Sequence, residues 1–178
     1  MPQFPFTTKD GRTGLVRVAT PGDAKAASAI TRAVMNERPR TLMVFPEEFW
    51  SVRQWRRFRL GWESRGAWLV AELGGMLVGM VTIHRGDRAS IRHTAEFGIT
   101  VAADARDIGI GRALIEAMER WAREQGIIKV CLRVFVNNER AKSLYEKLGY
   151  EIEGVERRQV RFPDGEEIDT MLMAKFLA

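Results

Sequence analysis

The chain has 178 residues, of which 46% are hydrophobic and 29% charged, with a net charge of +5 and a pI near 9.8. That composition suits one soluble globular domain with a real core, and no apolar stretch reaches the roughly 18–20 residues of a membrane span. Cys131 is the only cysteine, which excludes an intrachain disulfide, and it offers no metal-ligand spacing with His84 and His93, so no metal site is expected. The opening MPQFPFTTKDGRTG has no basic segment followed by an apolar run. A secretory signal is therefore not expected, and a reducing, cytoplasmic setting is. Only six of the 28 basic residues are lysine and the rest are arginine, whose planar fork suits phosphate and carboxylate. An anionic ligand is expected. The arginines are dispersed and form no stripe, which speaks against nucleic acid and for a solvated surface.

With no repeat or linker, residues 1–178 read as a single domain, the first 12 or so extended. Leu15–Ala19 reads as a strand. Thr20-Pro21-Gly22-Asp23 breaks it, and Asp23 caps a helix running to about Asn36. Pro46-Glu47-Glu48 opens a second helix, with proline and acids in its first turn. Phe45, Phe49, Val52, Trp55, Phe58 and Trp62 recur along it at helical steps, with Arg53, Arg56, Arg57 and Arg59 between them. Ala67–Leu73 and Met76–His84 read as strands joined at Gly74-Gly75, a hairpin turn tolerant of positive φ. Thr94–Val101 (TAEFGITV) is another strand. The helix that follows presents Leu114, Ala117, Met118 and Trp121 on one face and stops at Gly126. Lys129–Val136 is a strand, and Asn138 starts a helix with Ala141, Leu144, Tyr145 and Leu148 on one face, ending at Gly149. Residues 151–161 and 166–176 read as two strands turning at Pro163-Asp164-Gly165. The crossover helix makes strands 94–101 and 129–136 parallel. The fold class is α/β (α+β): a mixed central sheet of six to seven strands flanked by about four helices.

DARDIGIGRALIEAM, residues 104–118, puts two glycines at the mouth of a helix. Free N–H groups there make an anion site, and glycine lets a phosphate approach the backbone. A P-loop would need lysine and a hydroxyl residue after Gly111, and neither is present. The dinucleotide fingerprint would need a small residue at Leu114 and an acid closing the next strand, which ends Val136-Asn137-Asn138. Arg106, Gly109 and Gly111 instead resemble the R/Q-x-x-G-x-G/A pyrophosphate loop of the GNAT superfamily of N-acetyltransferases. Asn138–Tyr150 (NERAKSLYEKLGY) is similar to that superfamily's second signature, Asn-x-x-Ala-x-x-Leu-Tyr-x-Lys-x-Gly-aromatic. The two segments stand in the family's order and spacing, and the strand order from about 15 to 176 is similar as well.

The resemblance implies acetyl-CoA (coenzyme A) as cofactor. The amides of Asp107, Ile108, Gly109, Ile110, Gly111 and Arg112 would converge on its diphosphate, with Arg106 and Arg112 adding charge-assisted bonds. Surface charge is the plainer reading of both arginines. Asp107 stands where the family often has a basic residue or glycine, and like-charge repulsion would turn it to solvent. The resemblance also maps the strand that pairs with the pantetheine arm onto Ile99, Thr100 and Val101, where a backbone N–H would stabilise an oxyanion; as side chains these are ordinary strand core. Tyr145 matches the family's tyrosine near the sulfur, a proton donor to the leaving thiolate, and otherwise reads as a packed helix aromatic. Asn138 caps its helix; the resemblance adds contact with the cofactor arm for Asn138 and for Ser143.

An amine attacks only as the free base, so a general base is useful. Glu96 is the candidate. It lies in an otherwise apolar strand, where burial makes a carboxylate more basic, and alternation puts it on one face with Gly98 and Thr100, opposite Phe97, Ile99 and Val101. The rival reading is a strand-end carboxylate paired with a nearby arginine. His84 and His93 are alternative bases that look like strand-end or loop residues. Cys131, between Val130 and Leu132, looks like inert packing and not an acyl carrier.

The function implied is an N-acetyltransferase that moves acetyl directly to a primary amine, of a small molecule or a protein N-terminus, in a ternary complex. The alternative is a module that senses acyl-CoA without turnover. The aromatic residues of 45–62 would wall the acceptor cleft or simply bury one helix face. The tail hairpin would close over that cleft or form a homodimer edge.

Overall fold

The first strand is one that the sequence suggested only as an extended start. Gln3–Thr7 (β1) turns back on Thr13–Val18 (β2), with Phe4 buried and Pro5, which has no N–H to donate, on the outermost strand. Arg12 N–H closes the turn by donating to Thr8 Oγ1 at 2.9 Å. In this computed structural model, residues 3–43 and 66–177 are described. Beyond β2 come a helix, Ala24–Met35 (α1), and then the strands Gly66–Leu73 (β3), Met76–Arg85 (β4) and Thr94–Val101 (β5). They are followed by Ile110–Glu124 (α2), Lys129–Phe135 (β6), Glu139–Lys147 (α3), Glu151–Arg161 (β7) and Glu167–Phe176 (β8). Among the described residues the sheet therefore has eight strands, more than the six to seven expected, because β1 adds an edge. Three α-helices stand among the described residues; the helix expected over 46–62, with its aromatic and arginine residues, lies outside them.

The strand order is β1-β2-β3-β4-β5-β6-β8-β7. Among the described strands only β5 and β6 run parallel, as the crossover through α2 requires. The tail hairpin inserts its last strand, β8, beside β6 and leaves β7 at the edge. Gly74 and Gly75 turn the β3–β4 hairpin at φ 59° and 78°. Asp23 sits at the start of α1, its carboxylate accepting from Thr20 N–H at 2.6 Å and from both Arg17 Nη atoms at 2.9 Å.

The sheet is covered on both faces. On one, Leu69, Val81, Ile83, Phe97 and Leu132 pack against Leu114, Ile115 and Met118 of α2 and Tyr145 and Leu148 of α3. On the other, Trp68, Val70 and Met80 pack against Ala27 of α1. The face expected for α2 is the buried one, with Trp121 half-buried at its margin. One polar residue shares that face. Glu119 is buried and accepts from Lys175 Nζ of β8 at 2.8 and 2.9 Å, which ties α2 to the far side of the sheet. Among the described residues, no helix is long and apolar enough to cross a membrane.

Leu114 is fully buried between α2 and the sheet. Leu114→Ala is expected to lower the free energy of unfolding by about 2–5 kcal/mol, read from urea denaturation.

Candidate active site

β5 and β6 pair over only three residues, Thr94 to Glu96 against Lys129 to Cys131. Past Glu96 they part, and the gap opens into a cleft of about 1400 Å³ whose walls include β5, the 106–113 segment and α3. Ala102 N–H donates to Val78 O on β4. By the alternation of strand hydrogen bonds, Ile99 and Val101 therefore turn their N–H and C=O groups the other way, into the gap. Arg106 Nε occupies the Val101 carbonyl at 3.1 Å.

The loop ahead of α2 is built for exposed amides. Asp107 (φ 63°) and Gly109 (φ 104°) both take left-handed backbone, which turns the chain sharply into the helix. The first bond of α2 runs from Ala113 N–H to Gly109 O. Among the described residues, the six amides from Asp107 to Arg112 have no acceptor. A Cβ on Gly109 would meet nothing within 4 Å, so this glycine is set by its backbone angle and borders open space. Gly111 has a different reason: a Cβ there would lie 3.0 Å from Leu144 Cδ2, so it lets α2 and α3 approach closely. Exposed amides at the positive end of a 15-residue helix, beside an unpaired strand edge, fit a diphosphate followed by an amide-bearing arm.

The charged residues of this loop are disposed less simply. Arg106 Nη2 pairs with Glu37 Oε1 at 2.8 Å, just past α1, so its guanidinium is bound to protein groups at both ends. Three residues before the cleft wall at Met43, Arg40 pairs with Asp164 and Glu166 of the β7–β8 turn and lies 4.0 Å over the Phe162 ring. Arg112 is exposed and pairs with Glu116 one turn on. Asp107 faces solvent, its side chain 74% exposed, with Arg140 at 3.7 Å.

Across the gap, Glu96 stands on the face opposite Phe97 and borders the cleft. It is not buried: its side chain is half-exposed, and Arg133 Nη1 donates to Glu96 Oε1 at 2.6 Å. Arg133 Nε also donates to Glu156 at 3.1 Å, and Thr170 Oγ1 donates to the same Glu156 oxygen at 2.9 Å. Glu37 and Arg133 are among the residues thus brought to the site that the sequence reading did not single out. The second had a signal: the parallel register places Cys131 beside Glu96, and alternation then puts Arg133 on the same face.

His84 lies directly across from Glu96 in the antiparallel register and also borders the cleft. Desolvation holds its imidazole below the usual value, against the opposing pull of Glu96 and Asp87. Burial pushes the Cys131 thiol up, which keeps it protonated and unreactive. Tyr145 is buried at the inner end of the cleft, edge-on to Phe97 and Tyr150 with centroids 6.0 Å from each. Burial raises its phenol well above the ordinary range. Asn138 caps α3, its side-chain oxygen accepting from Ala141 N–H at 3.2 Å. Asn138, Ser143, Ile99, Thr100, Ile108, Gly109 and Gly111 all border the cleft, whereas Ile110 is buried in the core and is not part of its wall. His93 is not part of the cleft wall.

The sequence model of the acetyltransferase (GNAT) family matches residues 33–150, and the chain belongs to that family. The L-amino acid N-acetyltransferase AaaT of Escherichia coli K12 is 36% identical over 111 residues, 60% of this chain and 66% of that protein. The chain spans between 41% and 66% of the length of the first curated relatives it matches. Among solved structures, the ribosomal-protein-alanine N-acetyltransferase of Brucella melitensis superposes with a TM-score of 0.81 at 26% identity, over 90% of this chain and 98% of that one. The yncA protein of Salmonella typhimurium, solved with its cofactor acetyl-CoA, superposes with a TM-score of 0.83 over 93% and 94%; at 18% identity it shows the shared fold.

Gly109→Ala is expected to cost about 1–2 kcal/mol in urea denaturation, since its only penalty is the left-handed backbone. Gly111→Ala is expected to cost less, because the flexible end of Leu144 can shift.

Proposed function

We propose that this chain is an N-acetyltransferase that moves an acetyl group from acetyl-CoA directly to a primary amine, in a ternary complex. The single observation that carries this reading is the row of unpartnered amides from Asp107 to Arg112, opening beside the free edge of β5. The cofactor would supply the activated thioester. The amides at the start of α2 hold its diphosphate, with the helix dipole adding to their pull. Ile99 and Val101 offer backbone groups along the arm, and an N–H there meets the charge that grows on the carbonyl oxygen. Asn138 and Ser143 flank the same arm. Asp107, turned away, keeps its charge off the phosphates.

Glu96 draws the acceptor's ammonium to the opposite side of the gap and, directly or through water, assists its deprotonation. Tyr145 remains protonated at any working pH because burial disfavours its phenolate, so a proton is available to the departing sulfur. Cys131, held as a thiol, takes no acyl group, which supports direct transfer. The acceptor is the amine of a small molecule or a protein N-terminus. The names of the relatives favour both, one acting on L-amino acids and the other on an alanine of a ribosomal protein. We place the chain in the cytoplasm as one domain.

Thiol release from acetyl-CoA, followed across a panel of amines, tests the reading. Glu96→Gln is expected to lower kcat about 10²-fold or more with cofactor affinity unchanged. Tyr145→Phe should slow thiol release while leaving unfolding free energy nearly as it was. Tight cofactor binding with no thiol released to any amine would make the chain an acyl-CoA sensor instead.

A further inference from the structure

We propose that the turn between β1 and β2 is a working part of the cofactor site: Lys9 is a positioning residue whose backbone N–H sets the direction of the Gly109 amide, and with it the grip on the diphosphate. This rests on the reading above that the loop ahead of α2 holds that diphosphate. The starting observation is a bond from the far end of the sheet into the loop. Lys9 N–H donates to Ile108 O at 2.9 Å. Lys9 also borders the cleft, as Ile108 and Gly109 do. Neither sequence signature includes this turn.

The consequence follows from peptide geometry. Ile108 C=O and Gly109 N–H belong to one planar trans unit, in which the two groups point opposite ways. A donor that holds the carbonyl toward the hairpin therefore turns the Gly109 N–H to the other side. Among the described residues that N–H has no acceptor, and a Cβ on Gly109 would meet nothing within 4 Å, so the residue borders open space. The loop's own chain does little to keep this unit from turning over. Such a flip changes ψ of Ile108 and φ of Gly109, and glycine accepts φ of either sign. The bond from Lys9 is what opposes it.

The turn is stiff enough to serve. Buried Thr8 donates its N–H to Arg12 O at 2.9 Å, and its Oγ1 accepts from Arg12 N–H at 2.9 Å. Gly11 N–H donates to Thr8 O at 3.0 Å. Arg12 clasps Asp10 through Nε and Nη2 at 3.0 and 2.6 Å. The hairpin is also fastened to the helix that the loop begins. Arg120 of α2 lies 5.1 Å over the ring of buried Phe4, and Phe6 packs over Gly14, where a Cβ would run into its ring. Turn, loop and α2 thus form one braced unit.

The test compares Lys9→Pro with Lys9→Met. Both lack the ammonium, and only the first lacks the N–H. Lys9 is the second residue of the turn from Thr8 to Gly11, and neither it nor Asp10 takes positive φ, so proline suits the turn itself. Its ring fills the place of the lost hydrogen and forces the Ile108 carbonyl aside. Calorimetry gives Kd for CoA and for pantetheine, which carries no phosphate. Lys9→Pro is expected to bind CoA about 10-fold more weakly than Lys9→Met, with pantetheine held equally by both, since one charge-assisted amide is misdirected. Equal CoA affinities in the two variants overturn the brace. Equal losses for CoA and pantetheine make the bond merely structural and overturn it as well. If Lys9→Pro does not fold, as read from its urea midpoint against Lys9→Met, hydrogen exchange in the wild-type chain decides. Coupling is reciprocal, so CoA is expected to slow exchange of the Lys9 amide about 10-fold, with the Gly11 amide of the same turn unchanged. A Lys9 amide indifferent to CoA overturns the brace and leaves the role of the loop standing. A wild-type chain that holds CoA no better than pantetheine overturns the reading of the loop, and the brace with it.

Discussion

The parting of β5 from β6 is the constraint on which the rest of this molecule depends. Two parallel strands that share three residue pairs and then diverge leave main-chain groups without partners, a costly arrangement anywhere in a protein interior. The fold tolerates it because the gap is a surface cleft and because α2 and α3 are anchored on either side of it. α2 is fixed by Leu114, Ile115 and Met118 against the sheet, and α3 by Tyr145 and Leu148. The same packing that stabilises the helices aims the start of α2, with its spare N–H groups, at the opening.

The two sides of the gap work by different physics. On the loop side the useful groups are backbone, and side chains matter mainly in letting the backbone adopt its shape: Gly109 by its torsion, Gly111 by its closeness to Leu144, Arg106 by bracing Val101 and Glu37. On the sheet side the useful groups are side chains held by other side chains, in the series Glu96, Arg133, Glu156, Thr170. Mutation should therefore act gently on the first bank unless it touches a glycine, and sharply on the second.

Much of this could be read from the sequence wherever a local rule decided the outcome. The Gly74-Gly75 hairpin, the Asn138 cap, the limits of β5 and the parallel crossover all follow from short-range preferences or periodicity. β1 was underestimated because Gln3–Thr7 is short and contains Pro5, a residue that argues against a central strand but is tolerated at an edge. Glu96 lies on the expected face and in the expected strand, yet its setting differs from the expected burial, because the arginine that pairs with it comes from a strand 37 residues further on. Glu119 escaped notice for a similar reason: its partner, Lys175, is 56 residues away, and a carboxylate in an apolar stripe looks like a solvated margin until that partner is known. Long-range charge pairing is what periodicity cannot see.

The stretch from Glu37 to Arg40 is moored twice. Glu37 is tied to Arg106 on the loop bank, and Arg40 is tied to Asp164 and Glu166 at the tip of the tail hairpin. These moorings differ in shelter. The Glu37–Arg106 pair is largely shielded, with side chains 24% and 15% exposed, whereas both acids at the hairpin tip are about half open to water. Dissolved ions screen the second pair far more than the first. Rising ionic strength should thus slacken the hairpin end of this rope well before the loop end, so that the residues after α1 keep their hold on the loop while the hairpin tip works loose.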